Sequence, residues 1–364
     1  MKTTFRVAAV SAGLGFSMVA TVGFAAAASA YSSTPSGPVG WTPDAPVHAV
    51  VTSGSVTFVG GAFTGGVAEI DSATGALITT ANVGGDVRAL AVSGSHLLIG
   101  GAFTTVDGAT HKKLASLTIA TGLPAEPHWK AAAGGTVRDI VVNGNTEYFG
   151  GAFTHQNGQP QGGLGAVTVD TGKLVPSFTV STDNAVFGLT ASAGRLFVAG
   201  NFTHVDGLVR NSLASVTMAS NALDPWAPAR ACSICNQYWD VVVDNGTAFV
   251  GTSGNHLGAF YVSAAGSPFH AVAANGDVQA LAVSGGVLYA GGHFGTISNQ
   301  THAILAALNE RTGAVDASFT PRFTTHYPGV WALSATSSKL YVGGAFTAAG
   351  PTPPKRFPYF AMFN

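Results

Sequence analysis

The sequence predicts an all-β fold, a seven-bladed β-propeller of four-stranded antiparallel blades, and two observations carry that expectation. The pentapeptide Gly-Gly-Ala-Phe-Thr stands at 60–64, 100–104, 150–154 and 343–347, with worn copies at 199–203 and 291–295. Its phenylalanines Phe63, Phe103, Phe153, Phe202, Phe294 and Phe346 lie 40 to 52 residues apart, save for one gap of 92 after Phe202. That gap is two ordinary steps, so Val250-Gly251-Thr252-Ser253-Gly254 reads as a decayed copy and seven units result. A period of this length in strand-like sequence marks an array of small sheets, each burying its faces against its neighbours.

The chain opens on a secretory signal at 1–30. Lys2 and Arg6 supply the positive start, 7–24 is apolar, and Ala28-Ser29-Ala30 fits the small-x-small cleavage rule. The mature chain, 31–364, is therefore expected outside the cell, secreted or associated with the wall, as a single monomeric domain. No second apolar stretch of spanning length follows, so membrane insertion is not expected.

Residues 37–44 read as a strand placed before the first unit, with Trp41 at an aromatic position. The blades then fall at about 45–84, 85–134, 135–184, 185–236, 237–275, 276–328 and 329–364. The last has only three strands of its own, so 31–44 is expected to supply its fourth and close the ring, removing exposed sheet edges. In the second unit, runs at 87–94, 96–104, 114–119 and 125–132 are separated by Ser93-Gly94, Asp107-Gly108 and Thr121-Gly122. Asp-Gly and Asn-Gly suit hairpins whose turn residues need positive φ, and they recur at Asn157-Gly158 and Asp206-Gly207. The double glycine is expected to admit a neighbouring blade's side chain or backbone. The aromatics Trp129, Phe178, Trp226, Phe269 and Phe319 are expected to pack between blades.

Only 9% of residues are charged and the net charge is −1, which leaves no electrostatic footprint for nucleic acid or an anionic membrane. Hydrophobic residues make up 46% of the chain, enough for a packed core.

Units of the form V-R-A-L-A-V-x-G, then G-G-x-F-T with Asp-Gly or Asn-Gly following, then a closing P-S-F or D-x-S-F, resemble the delta-60 repeat family. The stretches 87–108, 174–178 and 315–319 carry the likeness best, and it spans essentially all of 45–364. The resemblance implies a propeller-like fold in secreted or cell-surface proteins, and it implies no reaction. The turns at 71–75 and 170–172 are also similar to those of quinoprotein-type propellers, a local likeness that ordinary Asp/Thr-Gly turn chemistry explains. The aromatic pattern of Kelch units and the sialidase S-x-D-x-G-x-x-W box are absent.

Propeller ligands bind where the innermost strands begin. Second in each first strand stand His48, Arg88, Arg138, Phe187, Trp239, Gln279 and Trp331, large and never aliphatic among small or aliphatic neighbours. Such a funnel suits a sugar or an anionic glycan, since aromatic faces stack on sugars and arginine clamps carboxylates. Plain packing is the competing account: the side chains plug the channel and pair with Asp86, Asp139, Asp240 and Asp277. Loops expected on the same face hold His111, His155, His204, Cys232, Cys235 and His326.

Cys232-Ser233-Ile234-Cys235 is expected to be a structural disulfide in an exported chain; a redox motif would need a helix N-terminus, and zinc would need two more ligands. Nucleophile-elbow, H-E-x-x-H, phosphate-loop and calcium-loop motifs are absent, so neither metal nor cofactor is expected. Asp139 and Asp240 share one repeat position and form the candidate acidic pair. The leading expectation is a non-enzymatic binding module for a carbohydrate, cell-wall polymer or cell-surface protein at the channel face. A quinone-dependent oxidoreductase, a glycan lyase or hydrolase, and a purely structural scaffold are the alternatives.

Overall fold

The computed structural model describes residues 31–38, 40–254, 256–263, 268–324, 329–350 and 357–364. The secretory signal read at 1–30 and the loop residue His326 lie outside the described residues. No helix occurs among the described residues, so none is long and apolar enough to cross a membrane.

One hairpin recurs along the chain. A first strand pairs antiparallel with a second that ends on the glycine motif, and the second pairs with a third. Val87–Ser93, His96–Gly101 and Leu114–Thr118 form one such sheet. The other first strands are Val47–Ser53, Thr136–Asn143, Val186–Ser192, Tyr238–Asp244, Val278–Ser284 and Val330–Ala335. Each packs beside the next in chain order, and Val330–Ala335 packs beside Val47–Ser53.

The expected fourth strand is only partly realised. It is present as Leu77–Thr80, Ala222–Leu223 and His270–Ala273. In the second, third and sixth units it shrinks to a single bridge, Leu117 to Ala125, Val167 to Leu174 and Leu308 to Val315. The reason is a tight turn just beyond: Trp129, Phe178 and Phe319 each donate their N–H to the carbonyl three residues back, at Glu126, Val175 and Asp316. The turn pulls the chain off the sheet edge and buries the aromatic ring. Trp129 then donates its indole N–H to the Val169 carbonyl of the following unit at 2.7 Å, the inter-unit packing expected for this position.

At the chain's ends, Pro35–Gly37 pairs with Phe360–Phe363 and becomes the outer strand of the sheet holding Leu340–Gly344 and Val330–Ala335. The pairing segment lies within the 31–44 expected to complete this sheet, but it starts before the strand read at 37–44 and shares only Gly37 with it. Trp41 lies beyond it, edge-on to Phe63 at 5.7 Å and tilted against Phe360 at 6.2 Å, between the first and last units.

The expected hairpin turns are realised. Asp107 and Gly108 have φ of 50° and 77°, and Asn157-Gly158 and Asp206-Gly207 repeat the pattern, each at the tip of a two-residue hairpin.

The two motif glycines do different things. A Cβ on Gly100 would lie 2.5 Å from Val137 Cγ1 of the next unit, and one on Gly343 would lie 2.4 Å from Val47 Cγ1 of the first. A Cβ on Gly101 would instead strike the Asp86 carbonyl oxygen of its own hairpin at 2.1 Å. The expectation of a neighbour's close approach holds for the first glycine. The second accommodates a distortion within the hairpin, and that distortion builds the candidate site.

Candidate functional site

Every first strand carries a β-bulge at the same place. In the second unit Val87 faces Gly101 and Ala89 faces Gly100, so Arg88 has no partner across the ladder. The same skip falls at His48, Arg138, Phe187, Trp239, Gln279 and Trp331. A bulge bends its strand and re-aims the extra side chain. Here it turns all seven residues into one cavity of about 300 Å³, which these seven line among the described residues. A further space of about 220 Å³ adjoins it and also reaches Asp139 and Asp240.

The lining is divided by chemistry. On one side Asp86 is the hub: its carboxylate accepts His48 Nδ1 at 2.6 Å and Arg88 Nε and Nη2 at 2.8 Å. Burial pushes the Asp86 carboxyl up, but the His48 hydrogen bond and charge together with the Arg88 guanidinium outweigh it and hold the group below the usual carboxylate range. The other side is aromatic. Phe187 stacks on Trp239 at 4.9 Å with 29° between the planes, and Arg138 Cζ lies 5.1 Å from the centre of the Phe187 ring. Trp239 donates its indole N–H to Asp277 at 3.2 Å, and Trp331 packs against His48 at 4.8 Å.

Arg138 differs from Arg88. Among the described residues no hydrogen bond or ion pair reaches its guanidinium, and its Nε is buried without a partner. Burial and the neighbouring Arg88 charge lower its pKa from the ordinary arginine value, with Asp86 acting the other way. Gln279 Oε1 is also buried without a partner among the described residues.

Asp139 and Asp240 do not pair with the lining residues. Asp139 accepts the N–H of Ile140 at 2.8 Å and of Leu189, on the next unit, at 2.6 Å. Asp240 does the same with Val241 and Leu281, both at 2.7 Å. Each residue keeps some surface on the cavity, yet protein surrounds its carboxyl. Burial, with the Asp240 charge added, pushes Asp139 up to about 8, and burial pushes Asp240 up to about 6. The residue at this repeat position is otherwise small, and a Cβ on Gly188 would come within 2.8 Å of Asp240 Cα.

The loop residues expected on this face do not join the cavity. His111 lines a separate hollow of about 600 Å³ with Lys112, Trp129 and Lys130. His155 bonds its neighbour Thr154, and His204 bonds Asp183 and Thr203. Cys232 and Cys235 are disulfide-bonded, as expected, and pack on Gly254. His256 lies close to both sulfurs, a neighbour that sequence spacing did not reveal.

No protein-family model matches the chain, and no curated protein sequence matches it. Among solved structures it is similar to the WD40 β-propeller domain of Doa1, with a TM-score of 0.61 and 12% identity over 92% of this chain and 96% of that one. It is also similar to the computationally designed Ika8 protein, with a TM-score of 0.56 and 12% identity over 91% of this chain and 99% of that one. At this identity the likeness concerns fold alone, and with the all-strand architecture it makes the protein a β-propeller.

Proposed function

We propose that this protein is an extracellular binding propeller of seven closed blades, with its ligand site at the cavity that the seven bulged residues line. The observation that carries the reading is the repeated bulge. Seven strands each depart from regular pairing at one point, and each departure delivers a large polar or aromatic side chain to the same space. A packed plug would not require an unpartnered guanidinium beside a second one.

The ligand class is a carbohydrate, a cell-wall polymer or an exposed segment of a cell-surface protein. Stacked aromatics, an arginine and a glutamine suit all three. Export rests on the signal-like residues 1–30, and the delta-60 likeness of 45–364 agrees with a surface role. Closure rests on Pro35–Gly37 joining the last sheet; deleting 31–44 is expected to broaden and lower the melting transition, and an unchanged melt would count against a closed ring.

The test of function is a thermal-shift screen of the protein against glycans, wall fragments and surface-protein peptides, repeated on Arg138→Ala and Trp331→Ala. A ligand at a hundredfold over its dissociation constant stabilises by about 2.7 kcal/mol, a shift of a few degrees. A shift lost in both variants supports the reading. Shifts that survive both would place binding elsewhere, and none at all would favour a scaffold.

A second reading has one observation in its favour. Asp139 and Asp240 both border the space adjoining the cavity, and burial raises both, Asp139 further under the Asp240 charge, so that one can hold a proton beside an ionised partner, as an acid and a base on a glycan would require. Product formation from a bound glycan, abolished in Asp139→Asn and Asp240→Asn, would establish it.

A further inference from the structure

We infer that the cavity selects the terminal residue of a polysaccharide whose end sugar bears a carboxylate, the carboxylate lying between Arg88 and Arg138 and the sugar ring against the tryptophan side. The inference rests on the binding reading above and names the ligand within it.

Charge comes first. Two guanidiniums border the cavity in adjacent units, and Asp86 is the carboxylate bonded to that side, shared between Arg88 and His48. Arg138 lies over the face of Phe187, and among the described residues no carboxylate bonds it; Asp86 acts on it by charge alone. A planar carboxylate is the group that satisfies a guanidinium by two parallel hydrogen bonds, and here it would also relieve the repulsion between the two arginines.

Stacking then places the sugar. Phe187 has Arg138 over its ring and stacks on Trp239, so both of its neighbours in the ring use it. Trp239 and Trp331 each have one aromatic neighbour and both line the cavity, with Gln279 between them in the repeat. They are the platforms for a sugar face, and the Gln279 amide is the group for its hydroxyls.

Size and depth make the recognition end-on. About 300 Å³ is at the small end of ligand pockets, room for one sugar residue and not for a bound run. The space beyond it, about 220 Å³, is smaller still and is bordered by the same seven residues together with Asp139, Asp240 and the strand residues around them, so it leaves no room for a chain to thread deeper.

The experiment is calorimetric titration of the protein with methyl β-glucuronide, methyl β-glucoside, sodium acetate, and uronate oligomers of two and four residues. The glucuronide is expected to bind at least tenfold tighter than the glucoside, with acetate weaker than either. The tetramer is expected to match the dimer per chain. Arg138→Gln, checked for an unchanged melting point, is expected to abolish the preference while weak binding of both sugars persists. Equal binding of glucoside and glucuronide would overturn this inference and leave the binding function standing. Acetate binding as tightly as glucuronide would reduce the site to an anion slot and overturn the sugar assignment. Tighter binding with each added residue would overturn end-on recognition. No binding by any of these, in a protein stabilised by neutral glycans in the screen, would overturn the inference alone; no binding by any ligand would remove both.

Discussion

Asp240 accepts the backbone N–H of Leu281 at 2.7 Å, across the boundary between two separate sheets. Its other oxygen holds Val241 in its own strand, and Asp139 repeats the arrangement with Leu189 and Ile140. A side chain at the bulge thus takes the place of a ladder bond where neighbouring first strands diverge. Asp240→Ala would leave two backbone donors without acceptors, a cost of about 2 to 4 kcal/mol. Asp240→Asn keeps one acceptor oxygen and should cost about half as much. Chemical denaturation of the three proteins checks this, and equal stability of all three would remove the latch role.

Stability should fall as pH rises from about 5 to 8. Asp139, raised to about 8, and Asp240, raised to about 6, hold protons in the folded state that the unfolded chain has already released. Glu147, pushed up to about 8 by burial, behaves the same way. Each group therefore favours folding below the usual carboxylate range and loses that contribution as pH climbs through its folded pKa, by up to about 1.4 kcal/mol per pH unit. The opposite sign applies to Asp86, held low by His48 and Arg88 against burial, and to Asp183, where hydrogen bonds from Thr203 and His204 outweigh burial and hold it at about 2. Their contribution is lost as pH falls below about 4. The urea midpoint should thus peak on the acid side of neutrality.

Glu147 is wholly buried, and neither carboxyl oxygen has a partner among the described residues. Its counterparts in neighbouring units are Leu97 and Leu196. Glu147→Leu should stabilise the protein at pH 7 by about 1 to 3 kcal/mol and flatten part of the pH dependence. Thermal melts at pH 5 and pH 8 would show the gain, larger at the higher pH.

The two motif glycines should differ in tolerance. Gly100→Ala pushes on the Val137 side chain, which can yield, at about 1 to 3 kcal/mol. Gly101→Ala pushes on the Asp86 carbonyl, which cannot move without undoing the bulge that presents Arg88. It should cost more and also weaken ligand binding. Equal costs in a denaturation series would show that the bulge does not depend on this glycine.

Reducing the Cys232–Cys235 disulfide should lower stability by about 2 kcal/mol, the chain-entropy value for so small a ring. The Cys232→Ser, Cys235→Ser double variant should match the reduced protein and no longer respond to reductant in a melting experiment.

What the sequence determined by itself was whatever repeats. The glycine motif spaced the hairpins, Asp107-Gly108 and its kin named the turns, and the large residues at one strand position were recognisable because their neighbours are small. Those features are local, set by backbone conformation and the alternation of a strand. The bulge was not legible, since a skipped residue reads the same as a paired one until the partner strand is in place. Nor was the difference between Arg88 and Arg138, which share a residue type and a repeat position. Only the tertiary structure gave one of them Asp86 and the other the face of Phe187, turned Asp139 and Asp240 toward a neighbour's backbone, and set His256 beside the disulfide. Each of these depends on which unit stands next to which, and charge, burial and hydrogen bonding are decided by those neighbours in space.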